Sequence, residues 1–490
     1  MNAQQCPDGT PPPCPGQAAR TPAPRSIAVL TFENTTRDTA AQYLAEGLAD
    51  QIFARLGSVE RLTLISRSVV RRLRDPDQLS VQQIGRTLNA AYLVNGSLRA
   101  AGRRVRVTVE ALRAATGEAV WVATYDRASD DLIGLEESIA TEVAAGVAGR
   151  LSPRERRLLG SRVTTSSHAY EVFLRGNVLL ARRTPASIQG AIAAYRAATA
   201  ADSGFADGYG RLAYAYAVCL HLTCGGDVAA LLRQSREAAT RALRLNPRSS
   251  DAWMGRAWLL AVLFNRGAQA DDSLLAALAA FRRAVELNPR SDEAWHQYGA
   301  TLLFVSDSAS LDAQRRALAL DPARAITYGD LSWTYYVMGR NDLALAMIDT
   351  AFALEPDLPI RPIRLLYRLA AGDTAGAVAD ARQTPAGPYS PAVLAVFAHD
   401  SAAVREMQAV VTQPDCNDRA GASRVLYLLW TGRREQAVQL TLGFESRCEW
   451  SLLLSRRGLL TPVFAPLLED PRMQALLAEA ERYLARARWR

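Results

Sequence analysis

Three segments of this chain repeat one phrase. Ala242–Trp253 reads ALRLNPRSSDAW, Ala284–Trp295 reads AVELNPRSDEAW, and Ala317–Tyr328 reads ALALDPARAITY. A chain that rewrites one segment at a near-constant interval is stacking copies of a unit that cannot bury its apolar face alone. The prolines that close an apolar helical stretch are Pro247, Pro289, Pro322 and Pro356, separated by 42, 33 and 34 residues. A spacing of about 34 marks a two-helix unit. The longer first interval contains an insertion, Phe264–Ser273.

The phrase reads as a joint. Proline lacks an N–H and turns the preceding residue away from helix, so it stops the second helix of a unit. Asn246, Asn288 and Asp321 stand at that boundary and suit a turn. Ser250 or Asp251, and Asp292, are placed to cap the next helix, whereas Arg324 is not. Six residues after each proline comes a ring, Trp253, Trp295 or Tyr328, expected to pack across the helix pair. Ala257, Gly299 and Ser332 on first helices, with Ala284, Ala317 and Ala351 on second helices, let the two helices approach.

This pattern resembles the tetratricopeptide (TPR) repeat. The clearest units are Ala206–Pro247, Arg248–Pro289, Arg290–Pro322 and Ala323–Pro356. A weaker unit precedes them at His168–Ser203, and degenerate ones follow through Leu426–Leu440. The final helix, Asp470–Arg490, reads as a cap with a charged outer face. The resemblance places peptide-binding positions on the inner face of the first helices: Tyr214, Met254, Trp258, His296, Trp333 and Tyr336. These would suit a polypeptide with apolar anchors. They lack the Lys and Asn used by carboxylate-clamping relatives, so that ligand class is not expected.

The amino-terminal part is patterned differently. Residues 1–24 are Pro-rich and read as a tether. Ser26–Phe32 is a strand candidate, and Ala40–Leu56 is a helix with Leu44, Leu48, Ile52 and Leu56 on one face. The run LTLISRSVV at Leu62–Val70 is a second strand candidate, and Ser80–Leu88 a short helix. Ala90–Arg127 alternates as a three-strand meander with turns at Gly102 and Thr116–Gly117. A closing helix follows Asp130 or Asp131. Strands mixed with helices imply an α/β domain over 25–160, ahead of an all-α solenoid over 166–490. IAVLTFEN at Ile27–Asn34, YLAEGLADQI at Tyr43–Ile52, YLVNGSLR at Tyr92–Arg99 and ATGEAVWVATYDR at Ala115–Arg127 resemble the TolB amino-terminal/FlgO-like domain, with Thr31 where that family usually has proline. The resemblance covers nearly all of Arg25–Leu151. It implies a binding or scaffolding role beside helical repeats in bacterial membrane-anchored regulators, cyclases and kinases, with no catalytic residues.

Composition narrows the chemistry. The chain contains no lysine, and all 57 basic residues are arginine. A phosphate-binding loop of the G-x-x-x-x-G-K type, a kinase strand lysine and a pyridoxal Schiff base are therefore excluded in their usual forms. The net charge of +8 is spread over 490 residues. The basic stretches Arg67–Arg74 and Arg99–Arg106 lack interleaved aromatics and read as solvated faces, so no nucleic-acid partner is expected. No apolar run is long enough to span a bilayer, and the first residues lack the apolar centre of a signal peptide. Cys6/Cys14, Cys219/Cys224 and Cys416/Cys448 fall into near pairs, which fits disulfides or free thiols. The CLHLTC run at Cys219–Cys224 offers too few ligands for a metal. The DSG triplet at Asp202–Gly204 lacks a nucleophile elbow, Gly146–Ser152 is no dinucleotide loop, and Glu136–Glu137 read as a solvated helix face. No cofactor is implied.

Together these readings describe a non-enzymatic protein-interaction, scaffold or sensory module that takes a polypeptide on the solenoid's concave face. The alternative is the regulatory part of a larger bacterial signalling protein, with only about 24 residues here ahead of the α/β domain. Compartment and oligomeric state stay open between periplasmic and cytoplasmic, and between monomer and assembly.

Overall fold

The computed structural model describes residues 22–36, 39–73, 76–102, 104–128, 131–222, 224–265, 270–358, 360–385, 387, 389–410, 421–448 and 460–487. Most of the tether, Cys6, Cys14, Cys416 and Asp130 lie outside them.

Strand β1, Ser26–Val29, is apolar on both faces because it is covered on both. Ile27 and Val29 enter one core and Ala28 the opposite one. It pairs in parallel with β3, Thr63–Leu64, and with β4, Tyr92–Ala101. Antiparallel strands β5, Arg104–Arg113, and β6, Ala119–Ala128, continue the sheet in the order β3-β1-β4-β5-β6, and the short β2, Glu33–Asn34, pairs with β4. On β5 the alternation is clean: Val105, Val107 and Val109 face the core, and Arg104 and Arg106 reach Asp126 on the solvent side. That basic stretch is a paired, exposed face.

Helices α1, Thr39–Leu56, and α4, Leu132–Ala148, cover one face of the sheet. Helices α2, Arg67–Arg71, and α3, Val81–Leu88, cover the other. Ser80 caps α3 in a reciprocal capping box with Gln83. The expected strand at Leu62–Val70 is corrected. Only Thr63–Leu64 is extended, because Ser66 caps the helix that opens at Arg67. Arg67 is itself buried, tied to Asp50 at 2.6 Å, so the first basic stretch is only partly a solvated face. Asp131 stands at the start of α4 without a side-chain cap bond. A short helix, α5 (Pro153–Leu159), leads into the helical part.

That part consists of helix pairs: α6 Ser167–Ala181 with α7 Pro185–Ala201, α8 Ala206–His221 with α9 Val228–Leu245, α10 Ser250–Asn265 with α11 Ala270–Leu287, α12 Asp292–Leu302 with α13 Asp307–Leu320, and α14 Ala325–Val337 with α15 Asn341–Leu354. Shorter pairs follow: α16 Arg361–Ala370 with α17 Thr374–Gln383, α18 Ser390–Phe397 with α19 Ser401–Val410, and α20 Gly421–Trp430 with α21 Arg434–Cys448. The result is a solenoid of helical repeats. Gly176 and Gly299 mark close crossings: a Cβ there would meet the Tyr195 ring at 2.6 Å and Gln314 Cγ at 2.7 Å.

The repeated phrase is a joint held by three bonds. The second helix ends on an extended residue whose N–H donates four residues back, from Asn246 to Ala242, Asn288 to Ala284 and Asp321 to Ala317. The same side chain accepts the N–H two residues on: Arg248, Arg290 or Ala323. The ring six residues after the proline donates back to the proline carbonyl: Trp253 Nε1 to Pro247 at 2.9 Å, Trp295 Nε1 to Pro289 at 2.9 Å, and Tyr328 Oη to Pro322 at 3.1 Å. The ring thus fastens its own turn as well as packing. The caps differ from expectation by one residue. Ser249 and Ser291, not Ser250, Asp251 or Asp292, accept the first-turn N–H groups, because a β-conformation residue must precede the helix. Arg324 makes no cap bond.

The last described helix, Pro471–Ala487, does more than close the final pair. Met473 and Leu476 pack on α20 and α21, while Ala480 and Leu484 join Phe264, Leu274 and Leu278 of the α10/α11 pair. Tyr483 Oη donates to Asp272 at 3.0 Å. The solenoid's end is therefore tied back to its middle.

Candidate functional site

The first helices of the repeats face the α/β part across a cleft of about 2230 Å³. One wall comes from the end of α1, from β3, α2 and α5. The other comes from α6, α8, α10, α12 and α14 with their turns. The lining includes exposed apolar side chains, Leu158, Val163 and Leu222 at 44, 40 and 37% exposure, as well as Leu180, Val218 and Trp258.

The lining also carries a charged network drawn from four repeats. Arg183 sits in the α6–α7 turn at φ +55°, a conformation few non-glycine residues adopt. Its guanidinium donates to Tyr214 at 2.8 Å and Glu293 at 2.6 Å, and Tyr214 Oη also donates to Glu293. Arg324 reaches back to Asp292 at 2.8 Å and Glu293 at 3.3 Å. Burial raises the Glu293 carboxyl, but Arg183 and Arg324 overcome it and hold the group well below the usual range. Burial, with Arg324 beside it, pushes His296 down to about 3. Its Nδ1 is 3.1 Å from Thr327 Oγ1 and 3.5 Å from Asp330. Both the carboxylate and the imidazole are already bonded and form a polar wall of the cleft.

The network ends on the α/β part. Asp321 accepts from Ser66 Oγ at 3.1 Å and from Ser68. Arg72 donates to the carbonyls of Leu354 and Ala323, and Arg290 donates to those of Glu60 and Leu62, each at 3.3 Å. Two copies of the phrase therefore grip the α/β part.

The sequence-derived site residues divide. Tyr214, Trp258 and His296 line the cleft, whereas Met254, Trp333 and Tyr336 do not. Tyr214, Met254, His296 and Tyr336 are at most 4% exposed, so they are corrected from open anchors to packed side chains. Trp258 packs against His221, Tyr214 and Phe281 with ring centroids 5.5–6.5 Å apart. Trp333 and Tyr336 belong to a separate aromatic cluster with Tyr367. The resemblance chose the helix face, but sequence alone could not tell an open side chain from a packed one. The network itself was missed, though the third phrase carries its signal. Where the first two copies have Asn and a capping Ser, the third has Asp321 and Arg324.

Glu136 is also corrected. It is fully buried where α4 meets α1 and α6, accepting from Tyr170 Oη at 2.5 Å and Arg55 Nε at 3.5 Å. Burial outweighs both partners and pushes it up to about 8. Glu137 stays at the surface, paired with Arg162. Among the described residues no cluster of His, Cys, Asp and Glu could hold a metal, and no helix is long and apolar enough to cross a membrane.

Compared with known proteins, the chain matches no family model. It is 29% identical over 156 residues to a Rhizobium meliloti protein named, on a provisional assignment, adenylate cyclase 3; the match covers 31% of this chain and 26% of that one. The chain thus spans about a quarter of that relative. Among solved structures it is similar to a TPR protein of Thermus thermophilus (22% identity, 41% of this chain and 98% of that one, TM-score 0.34). It is also similar to a tetratricopeptide repeat protein of Parabacteroides merdae (13% identity, 64% and 100%, TM-score 0.32) and to the lipoprotein GNA1162 of Neisseria meningitidis (15% identity, 26% and 100%, TM-score 0.21).

Proposed function

We propose that the chain is a non-enzymatic interaction module of two units, a TolB/FlgO-like α/β unit over 25–160 and a TPR-type solenoid from 166. It holds a polypeptide segment in the cleft between them. The observation that carries this reading is the cleft's mixed lining. Exposed Leu158, Val163 and Leu222 offer seats for apolar side chains, with Trp258 in the same lining, and the charged network supplies orientation. The experiment is selection of displayed peptides on the intact chain, repeated with Val163→Arg and Leu222→Arg. Both positions are exposed, so the fold should survive. Enriched peptides with apolar anchors should lose at least tenfold in affinity on either variant. Absence of enrichment, or indifference to both substitutions, would overturn the reading.

A second reading is favoured by the likeness to the provisionally named cyclase. Here the same module is the regulatory part of a larger signalling protein and passes occupancy of the cleft to an effector. Fusing the chain to a reporter enzyme and finding no response to a selected cleft peptide would count against it.

A further inference from the structure

Helix α8 ends in the run Cys219-Leu-His-Leu-Thr-Cys224. Cys224 N–H donates to the Cys219 carbonyl at 3.0 Å, which folds the chain back so that the two cysteines meet. Both thiols are free. Gln189 of α7 touches both residues, donating to the Cys224 carbonyl at 3.3 Å and lying 3.9 Å from Cys219 Sγ. Cys219 is buried and Cys224 half-buried. Gly225 and Gly226 follow at φ +88° and +99°, a left-handed pair that lets the chain leave the turn. The enclosed residues matter to the cleft: His221 stacks edge-on against Trp258 at 5.5 Å, and His221 and Leu222 both line the cleft.

We infer that Cys219 and Cys224 are a reversible dithiol–disulfide site, closed by a low-molecular-weight disulfide such as glutathione disulfide, that fixes the His221–Leu222 wall of the cleft. The backbone bond holds the two residues side by side, and a disulfide needs such an approach. The Cys224 thiolate attacks one sulfur of glutathione disulfide and releases one glutathione. The Cys219 thiolate then attacks the Cys224 sulfur of the mixed disulfide and releases the second. Two protein thiols give up two protons and two electrons, and one glutathione disulfide becomes two glutathione thiols. Burial and the neighbouring thiol push Cys224 up to about 12. Thiolate is therefore scarce, and the site follows sustained redox poise instead of reporting brief oxidant bursts.

The test uses the full chain with Cys6, Cys14, Cys416 and Cys448 changed to serine. It is equilibrated natively in graded glutathione buffers, acid-quenched, alkylated after unfolding and peptide-mapped. An intramolecular Cys219–Cys224 disulfide should rise with the oxidised fraction and vanish on return to reduced buffer. Amide exchange at His221 and Leu222 should slow several-fold in the oxidised form. Cys224→Ser, checked for native circular dichroism, should abolish both effects. Full alkylation of both cysteines at equilibrium in the most oxidising buffer would overturn the inference. So would accumulation of a Cys224–glutathione adduct that never closes.

Discussion

The α/β part meets the solenoid at two places made of different material. At the near joint, α1 and α4 pack on α6 within one continuous apolar core that runs from Val29 to Phe281. One polar cluster, Glu136 with Tyr170 and Arg55, is sealed inside it. At the far contact, Ser66, Ser68 and Arg72 meet Asp321, Ala323 and Leu354 almost wholly through hydrogen bonds. Buried apolar surface is lost all at once when two elements separate, whereas a hydrogen bond exchanged for water contributes only about 0.5–1.5 kcal/mol net. The near joint should hold wherever the fold holds, and the far contact should be the weaker of the two.

The largest test of that contrast is Phe173→Ala. This ring packs against Tyr195 and Phe205 with centroids 5.7 and 4.8 Å away. Its loss should cost about 3–5 kcal/mol, and thermal unfolding should show the sheet and first repeats melting together. Separate transitions would break the idea of a shared core.

Next in size is a pH effect at the near joint. A carboxyl raised from 4.5 to about 8 on folding binds its proton more tightly in the native state. Stability should therefore be full below about pH 4.5 and fall as pH rises towards 8, by roughly 2–4 kcal/mol. Glu136→Gln should flatten that part of a urea-midpoint profile. An unchanged slope would show that the joint tolerates the charge.

Within the phrase, Trp253→Phe keeps the ring but removes the bond to the Pro247 carbonyl, at a cost of about 0.5–1 kcal/mol. Denaturant midpoints would reveal whether the staple contributes beyond packing.

The smallest global effect belongs to Asp321→Asn. It should move the melting midpoint by less than about 1 kcal/mol, yet raise amide exchange across Ser66–Arg72 at least fivefold while leaving α6 unchanged. Equal changes at both places would erase the distinction between joint and latch.

The spacing of Pro247, Pro289, Pro322 and Pro356 was enough to give the helix pairs, their turns and the rings that close them, because those contacts are local and recur with each unit. Period-two alternation gave β5 in the same way. Other features turn on contacts between residues far apart in the chain. Leu62–Val70 carries a strand-like composition, but Ser66 caps a helix there and α2 docks against Asp321 more than two hundred residues later. Glu136 looks like half of a surface pair until α6 closes over it. Of the candidate anchors on the first helices, Tyr214, Trp258 and His296 line the cleft and Met254, Trp333 and Tyr336 do not. Whether each lines a cleft or fills a floor depends on which neighbours arrive, and burial is a property of the assembled surface, not of the residue. The sequence determined the unit and its repetition. Only the tertiary structure decided that the α/β part lies against the face those units create.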